Sequence, residues 1–83
     1  GIALINNNND HFSVYPNPSN GLFMLILPSD SKVRISNMLG ETVFTENLTE
    51  GKNQIDLTEF ASGMYIVNAE IGGKIKTIKL IKE

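Results

Sequence analysis

The chain has 83 residues, of which 41% are hydrophobic and none is cysteine. This length allows one small domain, the hydrophobic content is too high for a disordered chain, and the lack of cysteine excludes disulfides and thiolate metal sites. The formal net charge of −2 gives no general electrostatic affinity for nucleic acid or anionic lipid, and no apolar run approaches the ~20 residues that span a bilayer.

The first ten residues end in a polar run, Asn6 to Asp10, that has nothing to bury. Such a run is typical of a linker, so we expect residues 1–10 to join something upstream to a domain spanning residues 11–83. A surface loop of the same domain is the alternative. Residues 1–5 lack the basic start and full apolar core of a signal peptide, and the missing initiator Met indicates a fragment or a processed chain.

Short segments with the pattern of strands follow one another along the rest of the chain. In chain order they are 11–15, 21–27, 32–38, 41–47, 52–57, 63–70 and 74–83. Most alternate apolar and polar residues, whereas residues 21–27 are apolar on both faces, as in a central strand or one covered by a partner. The sixth segment is the clearest, because Tyr65, Val67 and Ala69 alternate with residues of another face. Turn signals separate the segments every 8–12 residues, and this pattern predicts an all-β, immunoglobulin-like sandwich of about seven antiparallel strands.

Two connections carry their own expectations. Pro16 to Gly21 predicts a fixed corner, because its two prolines restrict φ and remove backbone donors, so that no central strand can pass through it. The crossover over residues 58–62 is too short for a full helix, and we expect Phe60 to fill the bottom of the core there.

Two strands carry expectations about the direction of their side chains. In the third we expect Ser36 to face outward. In the last, Ile78 and Leu80 are expected on one face and Ile75 and Ile81 on the other, and this change of pattern predicts a bulge.

No group of side chains has the composition of an active site. The one histidine, His11, adjoins the linker, where a solvated or capping role outweighs catalysis. The carboxylates are scattered without Asp-x-Asp-x-Asp spacing, so a calcium site remains only a minor alternative. We predict no enzyme activity and no cofactor, and we expect Tyr65 to be buried with its hydroxyl hydrogen-bonded.

Lysines are concentrated in the last strand. Lys74, Lys76, Lys79 and Lys82 are four of the seven basic residues of the chain. One interpretation is an edge strand that its lysines protect from aggregation. The other is a surface presented to a receptor, for which an added partner strand along an unpaired edge would be one physical mechanism.

Several motifs, taken in order and with their spacing, resemble one family. They are Val14 to Pro18, Gly21-Leu22-Phe23, Val33 to Gly40, Gly51 to Leu57, Gly63 to Val67 and Lys79-Leu80-Ile81-Lys82. From about Phe12 to the end the chain is similar to the C-terminal sorting domain of type IX secretion cargo, type A. Glu83, after the last lysine, departs from the family pattern.

The resemblance implies a seven-stranded immunoglobulin-like sandwich that follows a secreted cargo. Such cargo passes through the periplasm and crosses the outer membrane to the cell surface or medium of a Gram-negative bacterium. The implied partners are the translocon or shuttle proteins, and a sortase-like cysteine peptidase that removes the domain in many cargos. Cleavage would fall in or before residues 1–10. The residues of the implied sorting signal are Pro16, Asn17, Pro18, Gly21, Gly40, Gly63, Tyr65, Lys79, Leu80, Ile81 and Lys82.

Two other classes of function stay open at this stage. A carbohydrate-binding or adhesive module of a secreted enzyme would need exposed aromatic side chains on a flat face. A structural spacer would not depend on its position in the protein. Neither class is an enzyme.

Overall fold

The computed structural model of the chain describes residues 12–83. Within them the strands are β1 (Ser13–Tyr15), β2 (Leu22–Leu27), β3 (Ser31–Asn37), β4 (Thr42–Leu48), β5 (Gly51–Asp56), β6 (Gly63–Ile71) and β7 (Lys74–Lys82). Two sheets result, with the orders β1-β2-β5 and β4-β3-β6-β7, and neighbouring strands in both are antiparallel. The predicted immunoglobulin-like sandwich of seven strands is therefore confirmed. No helix in this part of the chain is long and apolar enough to cross a membrane.

The core is made of alternate residues from the facing sides of the two sheets, as the period of two along a strand requires. In the described part of the chain it contains Phe23, Leu25, Leu27, Val33, Ile35, Ile55, Leu57, Tyr65, Val67, Ala69, Ile71 and Leu80. Strand β2 is central in its sheet, and Met24 and Ile26 on its outer side are half-buried. The two-sided apolar strand is therefore the central strand of its sheet, the first of the two predicted arrangements.

The strand register gives the sandwich two distinct ends. One end, which we call the corner end, contains residues 15–22, 37–42, 56–65 and 79–83. The opposite end contains Ser13 and residues 27–31, 48–51 and 70–75. The described chain therefore begins at the opposite end and finishes at the corner end.

The expected role of Phe60 is wrong, since its side chain is 40% exposed. Leu57 and Tyr65, at 1% and 4% exposure, close this part of the core instead. The backbone N–H of Phe60 donates to the carbonyl of Leu57 at 3.0 Å, and the tight turn that this bond closes leaves Phe60 at the surface.

The expected bulge is absent from β7, whose register with β6 is continuous from Lys74 to Lys82. Ile75 and Ile81 are exposed, whereas Ile78 is half-buried and Leu80 fully buried, as regular alternation requires. The register shift among the described strands lies between Ile35 and Ser36 in the β3–β4 pair.

Ser36 was expected to face outward, but it is only 5% exposed. The register of β3 with β6 is unbroken at this point, with Ser36 opposite Ile66, whereas the register with β4 shifts. The bulge in the β3–β4 pair thus coincides with the unexpected burial of this small polar side chain.

Candidate functional site

The residues singled out by their motifs meet where Pro16 to Gly21, which we call the Pro-Asn-Pro corner, crosses the end of β7. The side-chain amide of Asn17 donates to the carbonyl of Lys79 at 2.8 Å and accepts the N–H of Ile81 at 3.0 Å. One side chain thus bonds two backbone groups on the outer edge of β7, 62 and 64 residues further along the chain.

Ser19 continues this pairing with its backbone. Its N–H donates to the carbonyl of Ile81 at 2.9 Å, and its own carbonyl accepts the N–H of Glu83 at 2.7 Å. Ser19 and Lys82 form a parallel bridge, and Ser19 is 4% exposed. The corner therefore covers the last part of the β7 edge as a short additional strand would.

Gly21 lies where the corner, the β5–β6 crossover and Lys82 come together. Its φ is +117°, and a Cβ at this position would lie 2.8 Å from Thr58 Cα and 2.9 Å from Lys82 Cε. Lys82 is only 9% exposed. Its aliphatic stem therefore passes closely over Gly21, an arrangement that lysine adopts when its apolar carbons are covered.

The start of β6 is the third component of the site. Gly63 pairs with Lys82 and Tyr65 pairs with Leu80, which places both beside the end of β7. The Tyr65 hydroxyl donates to the carbonyl of Ala61, four residues earlier. A buried tyrosine near the start of the sixth strand that bonds back to the preceding crossover is the tyrosine corner of immunoglobulin-like sandwiches. The prediction that Tyr65 is buried with a bonded hydroxyl is confirmed.

Gly40 lies at the same end of the molecule but outside this cluster. It closes the β3–β4 hairpin, with a φ of +87° and its N–H donating to the carbonyl of Asn37 at 3.0 Å. No heavy atom lies within 4 Å of where its Cβ would be. Its role in the structure is therefore that of a turn residue.

The two prolines are exposed and follow cis peptide bonds. They flank Asn17, whose side chain makes the contacts with β7. The sequence indicated a fixed corner here, and the structure agrees.

Sequence reasoning missed Ser19 and Thr58. The bonds of Ser19 to β7 are made by its backbone, so its residue type carries no signal for them. Thr58 was identifiable from Asp56, since an Asp followed two residues later by a hydroxyl residue is typical of a capped turn.

Asp56 stands at the start of the crossover and accepts hydrogen bonds from Thr58. The carboxylate receives the hydroxyl at 2.6 Å and the backbone N–H at 2.8 Å. These two bonds, the hydroxyl first, lower the pKa of Asp56 below its ordinary value because they favour the charged form. They hold Thr58 in the position from which its backbone contacts Gly21.

The environment of the outer edge of β7 changes along the strand, between the part bonded to the corner and the part nearer Lys74. Because Lys79 and Ile81 turn backbone groups outward to the corner, the alternation of backbone direction turns those of Ile75 and Thr77 outward as well. Within residues 12–83 no strand pairs with this stretch, since β7 is the last of its sheet. The hypothesis of an unpaired edge is thus wrong for the Ile81 backbone and the Lys79 carbonyl.

The described residues do not form a metal centre. No group of three or more His, Cys, Asp or Glu side chains in residues 12–83 is placed to hold a metal ion. His11 and the expected linker over residues 1–10 lie outside the described residues.

Residues 13–83 match the model of the secretion system C-terminal sorting domain. The chain belongs to this family. The predicted resemblance is confirmed, and the sorting domain is a non-catalytic signal module that directs secretion. A search of curated proteins gave no match.

A solved structure with a similar fold comes from a study of PorZ, described as an essential surface component of the type-IX secretion system of Porphyromonas gingivalis. The similarity covers 89% of the 83-residue chain with a TM-score of 0.74 and 22% sequence identity. The sorting domain spans only 12% of that PorZ chain, and at this identity the likeness concerns the fold.

Proposed function

We propose that this sorting domain carries an upstream cargo across the outer membrane by the type IX route, and that its signal is the surface formed by the Pro-Asn-Pro corner and Lys79 to Lys82. The observation that carries the proposal is the set of bonds from Asn17 and Ser19 to β7. They hold the end of β7 in one fixed position, so a folded domain presents it in the same way behind any cargo.

The proposed partners are the translocon or its shuttle proteins. The cargo would leave the periplasm for the cell surface or medium of a Gram-negative bacterium. The family match and the fold shared with a type-IX component support this route. A sortase-like cysteine peptidase would cut in or before residues 1–10, which are proposed as the linker to the cargo. The match to the family begins at residue 13, just after that segment.

Deleting the last residues of the chain is a poor test of this signal. Leu80 is fully buried, and Asn17 and Ser19 would lose their partners on β7. Such a deletion would disturb the fold and the signal together. Substitution of an exposed lysine separates the two effects.

The test is export of the full 83-residue chain fused behind a periplasmic reporter in a bacterium that has a type IX system. Lys79→Glu reverses an exposed charge beside the corner, and we expect export to fall by roughly tenfold, since charge reversal at a contact opposes association. Lys74→Glu is the matched control, with the same change at the opposite end of β7, and should export normally.

Thermal unfolding of both variants should match the parent, because both lysine side chains lie at the surface. Normal export of Lys79→Glu with an unchanged unfolding curve would count against the corner as the signal. Equal loss in both variants would indicate a response to net charge alone.

The runner-up, a carbohydrate-binding or adhesive module, gains no support from the exposed aromatic residues. Among the described residues these are Tyr15 in β1 and Phe60 in the crossover. They belong to different elements and do not extend along one sheet face, which a flat sugar platform would require.

A further inference from the structure

Exposed apolar side chains are distributed unevenly over the sorting domain. Of the large exposed hydrophobic residues in the described part of the chain, Ile75 alone lies at the opposite end of the sandwich. The others lie at the corner end: Tyr15, Leu22, Met38, Leu39, Phe60 and Ile81. Scattered apolar residues on a surface are ordinary, whereas a concentration of them in one region marks an interaction site.

The most exposed of them stand on a firmly held turn. Met38 and Leu39, 63% and 85% exposed, form the tip of the β3–β4 hairpin. The Asn37 side-chain oxygen accepts the N–H groups of Leu39 and Glu41 at 2.9 and 3.0 Å, and its amide donates to the Glu41 carboxylate at 2.7 Å. The hairpin therefore displays two bare apolar side chains in a fixed position.

We propose that these six residues, which we call the apolar end, dock into an apolar recess of a protein of the secretion machinery. The inference rests on the proposed function, because its partner is that same machinery. It adds that the contact is hydrophobic in character and spans the whole corner end, with the lysines of β7 at one margin.

The charges at this end favour a protein over a bilayer or a second copy of the domain. Exposed carboxylates stand there on Glu41, Asp56, Glu59 and Glu83, against lysines 79 and 82, which gives four negative and two positive groups and a local balance of −2. An anionic membrane surface would repel this balance, and a second apolar end would bring like charges together. A protein recess can place basic groups opposite the carboxylates and acidic groups opposite the lysines.

The path of the chain leaves the apolar end accessible. Ser13 begins β1 at the opposite end, so the upstream chain joins the described domain there. Ser13 lies level with Ile26, four residues along β2 from Leu22 at the corner end, a separation of roughly 13 Å at ~3.3 Å per residue. The corner end can therefore enter a recess first while the cargo follows behind it.

The experiment measures export of the reporter fusion with Met38→Ser and Leu39→Asn combined. We expect export to fall at least about tenfold with no change in the unfolding curve, because both side chains are already in water. Ile75→Asn, a change of the same kind at 60% exposure on the opposite end, is the control and should export normally. Leu39→Met keeps the apolar surface and should also export normally.

Each other outcome overturns the inference in a distinct way. Normal export of the double variant, with loss of export in Lys79→Glu, would show that the apolar end does not dock into the machinery. The proposed function would then remain intact. If sedimentation equilibrium shows that the parent dimerises and the double variant does not, then the apolar end binds a second copy of the domain. Binding of the parent, but not of the double variant, to phosphatidylethanolamine–phosphatidylglycerol vesicles would make a bilayer the occupant. Retention of the parent fusion in the periplasm would overturn both proposals together.

Discussion

Gly21 shows how strongly one position in the corner depends on having no side chain. Its positive φ is unfavourable for other residues, and its missing Cβ leaves room for the Thr58 backbone and the Lys82 stem. Gly40 has a positive φ as well, but open space around it. The two glycines therefore separate the effect of backbone conformation from the effect of packing.

We predict that Gly40→Ala lowers the free energy of unfolding by about 1 kcal/mol, the strain of a left-handed conformation. Gly21→Ala should lower it by about 3 kcal/mol, because overpacking against fixed backbone adds to the same strain. Denaturant unfolding of both variants measures the difference. Equal losses would mean that Thr58 and Lys82 move away without cost, and that the corner is looser than its contacts indicate.

At the residue scale, most side chains that follow a strand period could be predicted from the sequence, whereas Ser36 beside the β3–β4 bulge and Phe60 in a connection could not. Tyr65 follows a strand period and is buried as expected. Phe60 has no such period, and hydrophobicity alone suggested burial, but the turn bond to Leu57 leaves it exposed. The short distance between Gly21 and Thr58 also results from packing between two segments, and no local sequence pattern predicts such packing.

At the scale of elements, the outer edge of β7 has two different environments. Near its end the corner already bonds the outer backbone groups, and nearer its start the lysines at 74 and 76 flank a stretch without a strand partner in residues 12–83. Flanking lysines protect such an edge from unwanted pairing. A partner strand could add only over Ile75, Thr77 and the N–H of Lys79.

The substitution Thr77→Pro tests strand addition directly. It removes an outward N–H and leaves the β6 ladder intact, as proline can at an edge strand. Thr77→Val is the control, because it loses only the hydroxyl bond to Asn68, 2.8 Å long in the parent. We expect both fusions to be exported like the parent, since the proposed signal lies at the other end of β7. Loss of export in the proline variant alone would establish strand addition in place of the corner.

The existence and approximate bounds of the strands could be predicted because alternation and turn residues are local signals, whereas their order in the two sheets was not predicted. The expected bulge in β7 was an error of interpretation, since Ile75 and Ile81 follow the same alternation as Ile78 and Leu80. The bulge between Ile35 and Ser36 leaves no mark in the sequence. The bonds from Asn17 to β7 join segments more than 60 residues apart, and the family resemblance, not the pattern, indicated that both matter.

At the scale of the whole molecule, the site and the point where upstream chain joins lie at opposite ends. The register of β1 with β2 places Ser13 beside Ile26, one residue before the end of β2 that points away from the corner. The motif residues of the corner, of β6 and of β7 gather at the other end although they are distant in sequence. The fold thus separates the proposed recognition surface from the proposed attachment point of the cargo.

This separation has a mechanical consequence. If a transport machine pulls at Glu83 while cargo drags ahead of Ser13, β1 and β7 are loaded along their own axes in opposite directions. The ladder bonds of β7 with β6 and the Ser19 bridge then share the force, so rupture requires these bonds to break simultaneously. A pull between Ser62 and Glu83, at the same end, would instead peel β7 away one pair at a time.

Force spectroscopy can compare the two directions cleanly, because the parent chain contains no cysteine to compete with introduced anchors. We expect a higher rupture force between an anchor fused ahead of residue 1 and Glu83→Cys than between Ser62→Cys and Glu83→Cys. Similar forces would show that the sheet does not load in shear. With the expected result, the domain stays folded when it is pulled between its upstream chain and Glu83. It unfolds at a lower force only when β7 is peeled from β6 starting at the corner end.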